Sequence, residues 1–356
     1  MYRHRIETLL RRCEVLKIDA LLLTSLPHIR YLSGFSGSHA MCFISPSNQY
    51  LVTDGRYREQ IRQETSGYSL LITKGSLIQA MAVKIPAKTK MRIGIQSQYV
   101  TLITFENMKS VFPRVQYIPV GSLVDEQMAI KDESEISSIR KAVNITDRVW
   151  EKILGIIKDG MSELDIAAEI SYFHKKFGAE ADAFEPIVAS GVRSALPHAR
   201  SSSKILRRGE LVVLDFGCRV DGYHSDLTRT IALGRASSEA KTIYHTVRHA
   251  QEQAIESAHE GMPAKTLDQI ARRDLRRHSM AKYFTHSLGH GIGLQVHELP
   301  KVSSFSNDIL AAGNVLTIEP GVYIPGFGGV RIEDDIVIRE STIEILNTAT
   351  KELIRL

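Results

Sequence analysis

Asp215, Asp226, His290, Glu319 and Glu333 are one histidine and four carboxylates, each set in an apolar stretch of chain. The first two lie in LVVLDFGCRVDGYHSDLTRT, the third in HSLGHGIGLQVHE, the fourth in LTIEPGVYI and the fifth in GGVRIEDDIVI. These segments read as interior sheet, and an ionised carboxylate buried there without a compensating cation costs several kcal/mol or more. Two divalent ions would neutralise about four carboxylate charges, and a neutral imidazole adds none. A water held between two such ions loses its proton near neutral pH and becomes a nucleophilic hydroxide. Hard oxygen donors with a single nitrogen suit manganese, cobalt, zinc or iron, and the donor set alone does not choose among them.

The elements that must position these residues are partly legible. Leu211–Phe216 is a short apolar run, Asp221-Gly222 is a strong two-residue hairpin signal, and Tyr223–Thr230 returns with alternating character. With the turn at Asp221-Gly222, Asp215 falls opposite Thr228, and Asp226 shares a face with Thr228 because strand side chains repeat every two residues. The glycines of LGHGIG around His290 suggest close approach of the backbone to a ligand. His286, spaced to share a helix face with His290, is expected to support the site from behind. Arg331, two residues before Glu333, is expected to pair with a donor carboxylate or with substrate. Asp334 and Asp335 read as structural partners, and Phe184 and Ile187 as lining or core. The bland alternative is a capped strand end at Asp215 and a solvated Asp226, which the three downstream donors argue against.

In order and spacing, LDFGCRVDGYHSDLTRT, HSLGHGIGLQVHE, IEPGVYI and RIEDDIVI resemble the metal-ligand motifs of the pita-bread metallopeptidases, the group containing methionine aminopeptidase, aminopeptidase P and prolidase. YLSGFSGSHA and VTDGRYREQ resemble the creatinase-type N-terminal domain of its proline-specific branch, and KDESEISSIRKA resembles the start of that branch's catalytic domain. The resemblance implies an α/β N-terminal domain followed by an α+β pita-bread catalytic domain, with pseudo-twofold αβ halves around an antiparallel sheet. It implies that Asp215 chelates one metal, that His290 and Glu319 hold the other, and that Asp226 and Glu333 bridge both. Glu319 would also relay a proton. His198, in ASGVRSALPHARS, and His297 match histidines that act close to the substrate. Neutral imidazoles there can donate hydrogen bonds to an oxyanion and exchange protons near pH 7.

Length and composition agree with a two-domain enzyme. The chain has 356 residues, of which 43% are hydrophobic, enough for two cores. A polar, charged stretch near 125–132 divides an α/β pattern, with strands in ALLLT, AMCFIS, QYLVTD and MRIGIQ, from a long helix expected to start near Ser134, capped by its hydroxyl, and to run through Trp150 towards Gly160 with a break or two. The expected domains are 1–125 and 132–356. GMSELDIAAEI and GMPAKTLDQIA form a faint echo in the second, as if each glycine ended a helix and each leucine-aspartate pair opened the next. Cys13, Cys42 and Cys218 are widely spaced, fitting free thiols in a reducing compartment, and Cys218 reads as packing. The N-terminal segment lacks the apolar block of a signal peptide, and no apolar run reaches the roughly 18 to 20 residues of a membrane helix. The expectation is a cytoplasmic protein without a membrane partner. The net charge of +5 is spread along the chain rather than gathered in a run, so nucleic acid is not an expected partner.

The proline-specific resemblance implies a substrate with proline at the second position. An Xaa-Pro bond is a tertiary amide with no N–H and a fixed ring dihedral, and a two-metal site needs no grip on an amide hydrogen. The leading expectation is an Xaa-Pro aminopeptidase carrying two divalent ions, manganese first, with cobalt, zinc or iron as alternatives. Prolidase, which cleaves Xaa-Pro dipeptides, shares all five donors and is the alternative within the family. A non-catalytic binding or chaperone protein on the same scaffold is the alternative of another class. Family members commonly pair, so a homodimer is expected.

Overall fold

The computed structural model describes residues 2–85 and 90–356. The chain divides into two compact units, Met1–Met128 and Ala129–Leu356. In the first, a six-stranded mixed sheet runs in the spatial order Ser69–Thr73, Gln49–Asp54, Ala40–Ile44, Ala20–Leu23, Arg92–Ile95, Gln116–Pro119. All four residues of Ala20–Leu23 are buried, as expected of a central strand with both faces covered. The four strands expected from apolar runs are present. The two outer ones, Ser69–Thr73 and Gln116–Pro119, mix polar and apolar residues and gave little signal in the sequence.

The second unit opens with the helix Glu133–Leu154. Its N-cap is Asp132 rather than the expected Ser134. The Asp132 carboxylate accepts from the backbone N–H groups of Ser134 and Glu135, and the Glu135 side chain accepts from the Asp132 N–H. A carboxylate at the cap satisfies two orphan donors and favours the positive end of the helix dipole, which a hydroxyl one turn inside cannot do. The helix stops at Leu154, well short of Gly160.

The echo between the two halves is structural, with one correction. Gly160 and Gly261 do not end helices, which are closed by Gly155 and Ala258. Both glycines adopt positive φ, +90° and +81°, and turn the chain into matching hydrogen bonds: Gly160 N–H to Leu206 O at 3.3 Å and Gly261 N–H to Leu310 O at 2.8 Å. Leu206 and Leu310 return bonds to Met161 and Met262 at 2.8 and 2.9 Å. The helices Glu163–Lys176 and Ala264–Arg277 then begin. Each half has its own apolar core. One joins Val149, Ile166 and Ile170 to Val212, Leu214 and Ile231; the other joins Val247, Leu267 and Leu275 to Leu316 and Ile336.

Two antiparallel sheets face the middle of this unit. One orders the strands Leu227–Ala232, Leu211–Phe216 and Ile187–Ser190. The other orders Glu298–Val302, Gly289–Gly291, Val315–Ile318, Asp334–Ile338 and Ile343–Ile345. The Glu333 N–H donates to Thr228 O at 3.1 Å and stitches one sheet to the other. No helix among the described residues is long and apolar enough to cross a membrane.

Candidate metal centre

Asp215 and Asp226 reach the centre through the hairpin read from sequence. Asp221 and Gly222 both have positive φ, 52° and 84°, as a type I′ turn requires, and Thr228 pairs with Asp215 in register. Asp226 sits one residue before the strand Leu227–Ala232, and its N–H donates to Asp335 Oδ2 at 3.0 Å. His290 is the middle residue of a three-residue strand, so His286 shares no helix face with it. The flanking glycines serve the sheet rather than a ligand: a Cβ on Gly289 would lie 1.9 Å from Thr317 O, and one on Gly291 would lie 2.0 Å from Leu299 O. Glu319 follows the strand Val315–Ile318, and Glu333 lies between the strands Gly328–Arg331 and Asp334–Ile338.

The side chains of Asp226, His290 and Glu333 converge, one donor atom from each lying within 4.8 Å of the others. His290 Nε2 is 3.4 Å from Glu319 Oε1 and 4.0 Å from Asp226 Oδ2, while its Nδ1 lies 3.1 Å from Gly291 O. That carbonyl can only accept, so Nδ1 carries the proton and Nε2 offers its lone pair to the acids. Asp215 takes a different partner. Its Oδ2 accepts from Arg331 Nη2, and Arg331, its side chain only 4% exposed, also donates to Thr228 Oγ1, Tyr323 Oη and Pro197 O at 3.0, 2.7 and 3.1 Å. Each of its nitrogens makes at least one such bond, so the guanidinium acts on a candidate ligand and on the residues around it.

The residues present fit a cation. Asp215 Oδ1 and Asp226 Oδ1 are buried and have no hydrogen-bond partner among the described residues, a costly arrangement unless something else satisfies them. Burial first, then Glu333 and Asp215, pushes the Asp226 carboxyl well above its usual range; burial, Glu319 and Asp215 do the same to Glu333. Burial pushes Glu319 up to about 8 despite Arg331, and lowers His290 to about 4 with help from His297. Carboxyls raised by burial and mutual repulsion beside an imidazole held neutral form a donor set that suits divalent cations.

Two family models match the chain: metallopeptidase family M24 over residues 137–340, and the creatinase/prolidase N-terminal domain over residues 5–130. The chain belongs to metallopeptidase family M24. Membership makes it a metal-dependent hydrolase of the pita-bread fold and sets aside the non-catalytic alternative. An Xaa-Pro dipeptidase of Pyrococcus horikoshii is 37% identical over 338 residues, 95% of each chain. Among solved structures, an Xaa-Pro dipeptidase from Bacillus anthracis is similar with a TM-score of 0.96 and 37% identity over the whole of both chains. An X-Pro aminopeptidase from Thermotoga maritima MSB8 has a TM-score of 0.91 and 37% identity over 99% of both.

Around the M24 carboxylates the remaining candidates take distinct places. The His297 ring centroid lies 4.3 Å from that of His290. His198 is exposed, yet close enough to His297 and His286 to help burial lower both their pKa values. His286 Nδ1 faces Ser287 O and its Nε2 faces Tyr323 Oη, each at 2.8 Å, so the Tyr323 hydroxyl donates to His286 while accepting from Arg331. Thr228 Oγ1 donates to Glu333 Oε2 at 2.6 Å. Tyr323 and Thr228 were not singled out from sequence. Thr228 was visible only as the residue opposite Asp215. Asp334 pairs with Arg229 at 2.6 Å, and Asp335 accepts from Asp226, so both are structural partners as expected.

Proposed function

We propose that this chain is an Xaa-Pro peptidase, and that it acts as a dipeptidase on Xaa-Pro. The observation that carries the reading is the convergence of Asp226, His290 and Glu333 with two orphaned buried carboxylate oxygens, in a chain whose full-length relatives include proteins named Xaa-Pro dipeptidase. Those names favour the dipeptidase over the aminopeptidase that heads the expectations from sequence. The aminopeptidase stays as the second reading because of its similarity to the Thermotoga protein.

Asp215, Asp226, His290, Glu319 and Glu333 would hold the two ions, manganese first among manganese, cobalt, zinc and iron. Once bound, a cation pair supplies Lewis acidity and offsets the carboxylate charge. The chain's own groups do the rest. Glu319, beside the ions it would help hold, accepts a proton on its carboxylate and returns it. His198 and His297 donate hydrogen bonds to the carbonyl oxygen as it gains charge. Arg331 fixes Asp215, and through Pro197 O it steadies the chain next to His198. A homodimer is part of the same reading, and sedimentation at micromolar concentration tests it: a monomeric mass would remove it.

The deciding experiment compares hydrolysis of an Xaa-Pro dipeptide with that of an Xaa-Pro-Yaa tripeptide, each with Mn²⁺, Co²⁺, Zn²⁺ or Fe²⁺ added in turn. The dipeptidase reading expects the dipeptide to be cleaved and the tripeptide spared. Cleavage of the tripeptide alone returns the aminopeptidase. Hydrolysis of neither by metal-loaded protein ends both.

A further inference from the structure

The Glu163 carboxylate is fully buried, lies outside the metal centre, and gathers the hydrogen-bond donors of two distant points in the chain. Oε1 accepts from Ser190 N–H at 2.8 Å and Ser190 Oγ at 2.9 Å. Oε2 accepts from Ser202 N–H at 3.1 Å, Ser202 Oγ at 2.7 Å and Arg193 Nε at 3.0 Å. Leu164 N–H adds a bond to Ser202 O at 3.0 Å, and Arg193 Nη2 reaches Arg200 O. A buried charge is tolerated here because its lone pairs are filled and because Glu163 is the first residue of the helix Glu163–Lys176, at the positive end of the helix dipole.

Ser190 ends the strand Ile187–Ser190 that pairs with the Asp215 strand, and Ser202 lies on the far side of the loop that carries His198. Among the described residues the His198 side chain makes no hydrogen bond, so the backbone of this loop sets where the imidazole stands. Glu163 holds both flanks of the loop and Arg331 holds Pro197 O at 3.1 Å, while Ser194 Oγ accepts from Gly329 N–H at 2.8 Å and Ser201 Oγ bridges Val188 N–H and Pro186 O at 2.9 and 2.8 Å. Of these ties, the ones at Ser190 and Ser202 share a single carboxylate that lies outside the metal centre.

We infer that Glu163 is a positioning residue, which staples both ends of the 191–201 loop and so holds His198 over the reacting bond. The inference rests on the Xaa-Pro peptidase reading for its effect on turnover, but not for its effect on the loop. Glu163→Gln keeps size and shape while turning one acceptor atom into a donor that faces other donors, which releases one end.

The test measures four things on the full chain: metal per chain, kcat and KM on an Xaa-Pro dipeptide, amide exchange over 191–201, and kcat of Glu163→Gln in a His198→Ala background. Expected are unchanged metal content, faster exchange confined to that loop, and a kcat lowered by about 10²-fold, the usual cost of misplacing a group by about 1 Å. In the His198→Ala background the further loss should stay within about twofold, because the clamp then has nothing left to place. An equal loss in both backgrounds, or an unchanged kcat with unchanged exchange, overturns the inference. Should the parent protein cleave no Xaa-Pro peptide, the functional reading falls, and exchange alone decides the clamp: faster exchange at 191–201 upholds it and unchanged exchange sinks it. Should Glu163→Gln not fold, Ser202→Ala, which removes one donor at the trailing end, is read by the same criteria.

Discussion

At Asp226 a carboxyl with a buried, unpartnered oxygen looks towards Glu333, Asp215 and the imidazole of His290. Nothing in the apolar surroundings repays that arrangement, so the acid and the cation it would bind stand or fall together. Asp226→Ala or Glu333→Ala should abolish paired metal binding and activity at once, read as ions per chain beside turnover. His198 differs, because it is exposed and makes no side-chain hydrogen bond among the described residues. His198→Ala should keep its ions and lower turnover by about 10²- to 10⁴-fold, the range for a lost proton-transfer or hydrogen-bonding group. A His198→Ala protein that had lost its ions would move that residue into the metal centre. Arg331 shows how environment decides a residue's task. From sequence it could face a carboxylate or a substrate, and the structure pairs it with Asp215, Thr228, Tyr323 and Pro197 O.

The hairpin between Asp215 and Asp226 was legible because its signals are local: a two-residue turn, an apolar run before it and an alternating run after it fix the register without reference to the rest of the chain. The long-range parts were not legible in the same way. His290, Glu319 and Glu333 carry no turn or period that says they meet Asp226, and they were found by motif rather than by geometry. The buried ion pair between Lys131 and Glu298 carried no signal at all, since each lies in an ordinary polar setting along the chain and they meet only after folding, at 2.9 Å with side chains 1% and 3% exposed. The pair joins the start of the second unit to the segment just after His297. Glu298 also caps that segment by accepting from Gln295 N–H at 2.9 Å. Lys131→Met should destabilise the fold by about 3–5 kcal/mol, because it leaves a buried carboxylate without its partner. Lys131→Met with Glu298→Gln should recover most of that loss, since the charge is gone and an acceptor for Gln295 remains. Urea denaturation midpoints at constant slope measure both, and a single variant costing less than about 1 kcal/mol would mean that the pair carries little of the fold.

Across the molecule, the acids at the centre tie stability to both pH and metal. Burial, the largest cause in each case, raises the carboxyls of Asp226, Glu333 and Asp335 and pushes Glu319 up to about 8, against about 4 in an unfolded chain. Above the unfolded value the folded, metal-free protein keeps protons that the unfolded chain has released, so raising the pH favours unfolding until the folded groups have also ionised. Chelated protein should therefore lose stability as the pH rises above the unfolded carboxylate range, with the Glu319 contribution lost up to about pH 8. Divalent cations compete with those same protons, so adding them should stabilise the protein more at about pH 8 than at about pH 6 and flatten or reverse the slope. Thermal unfolding of chelated and Mn²⁺-loaded protein across this range reads both effects. A metal-free melting temperature that stayed level or rose with pH would mean that these carboxyls are already satisfied within the protein, and the physical case for a dinuclear centre would lose its support.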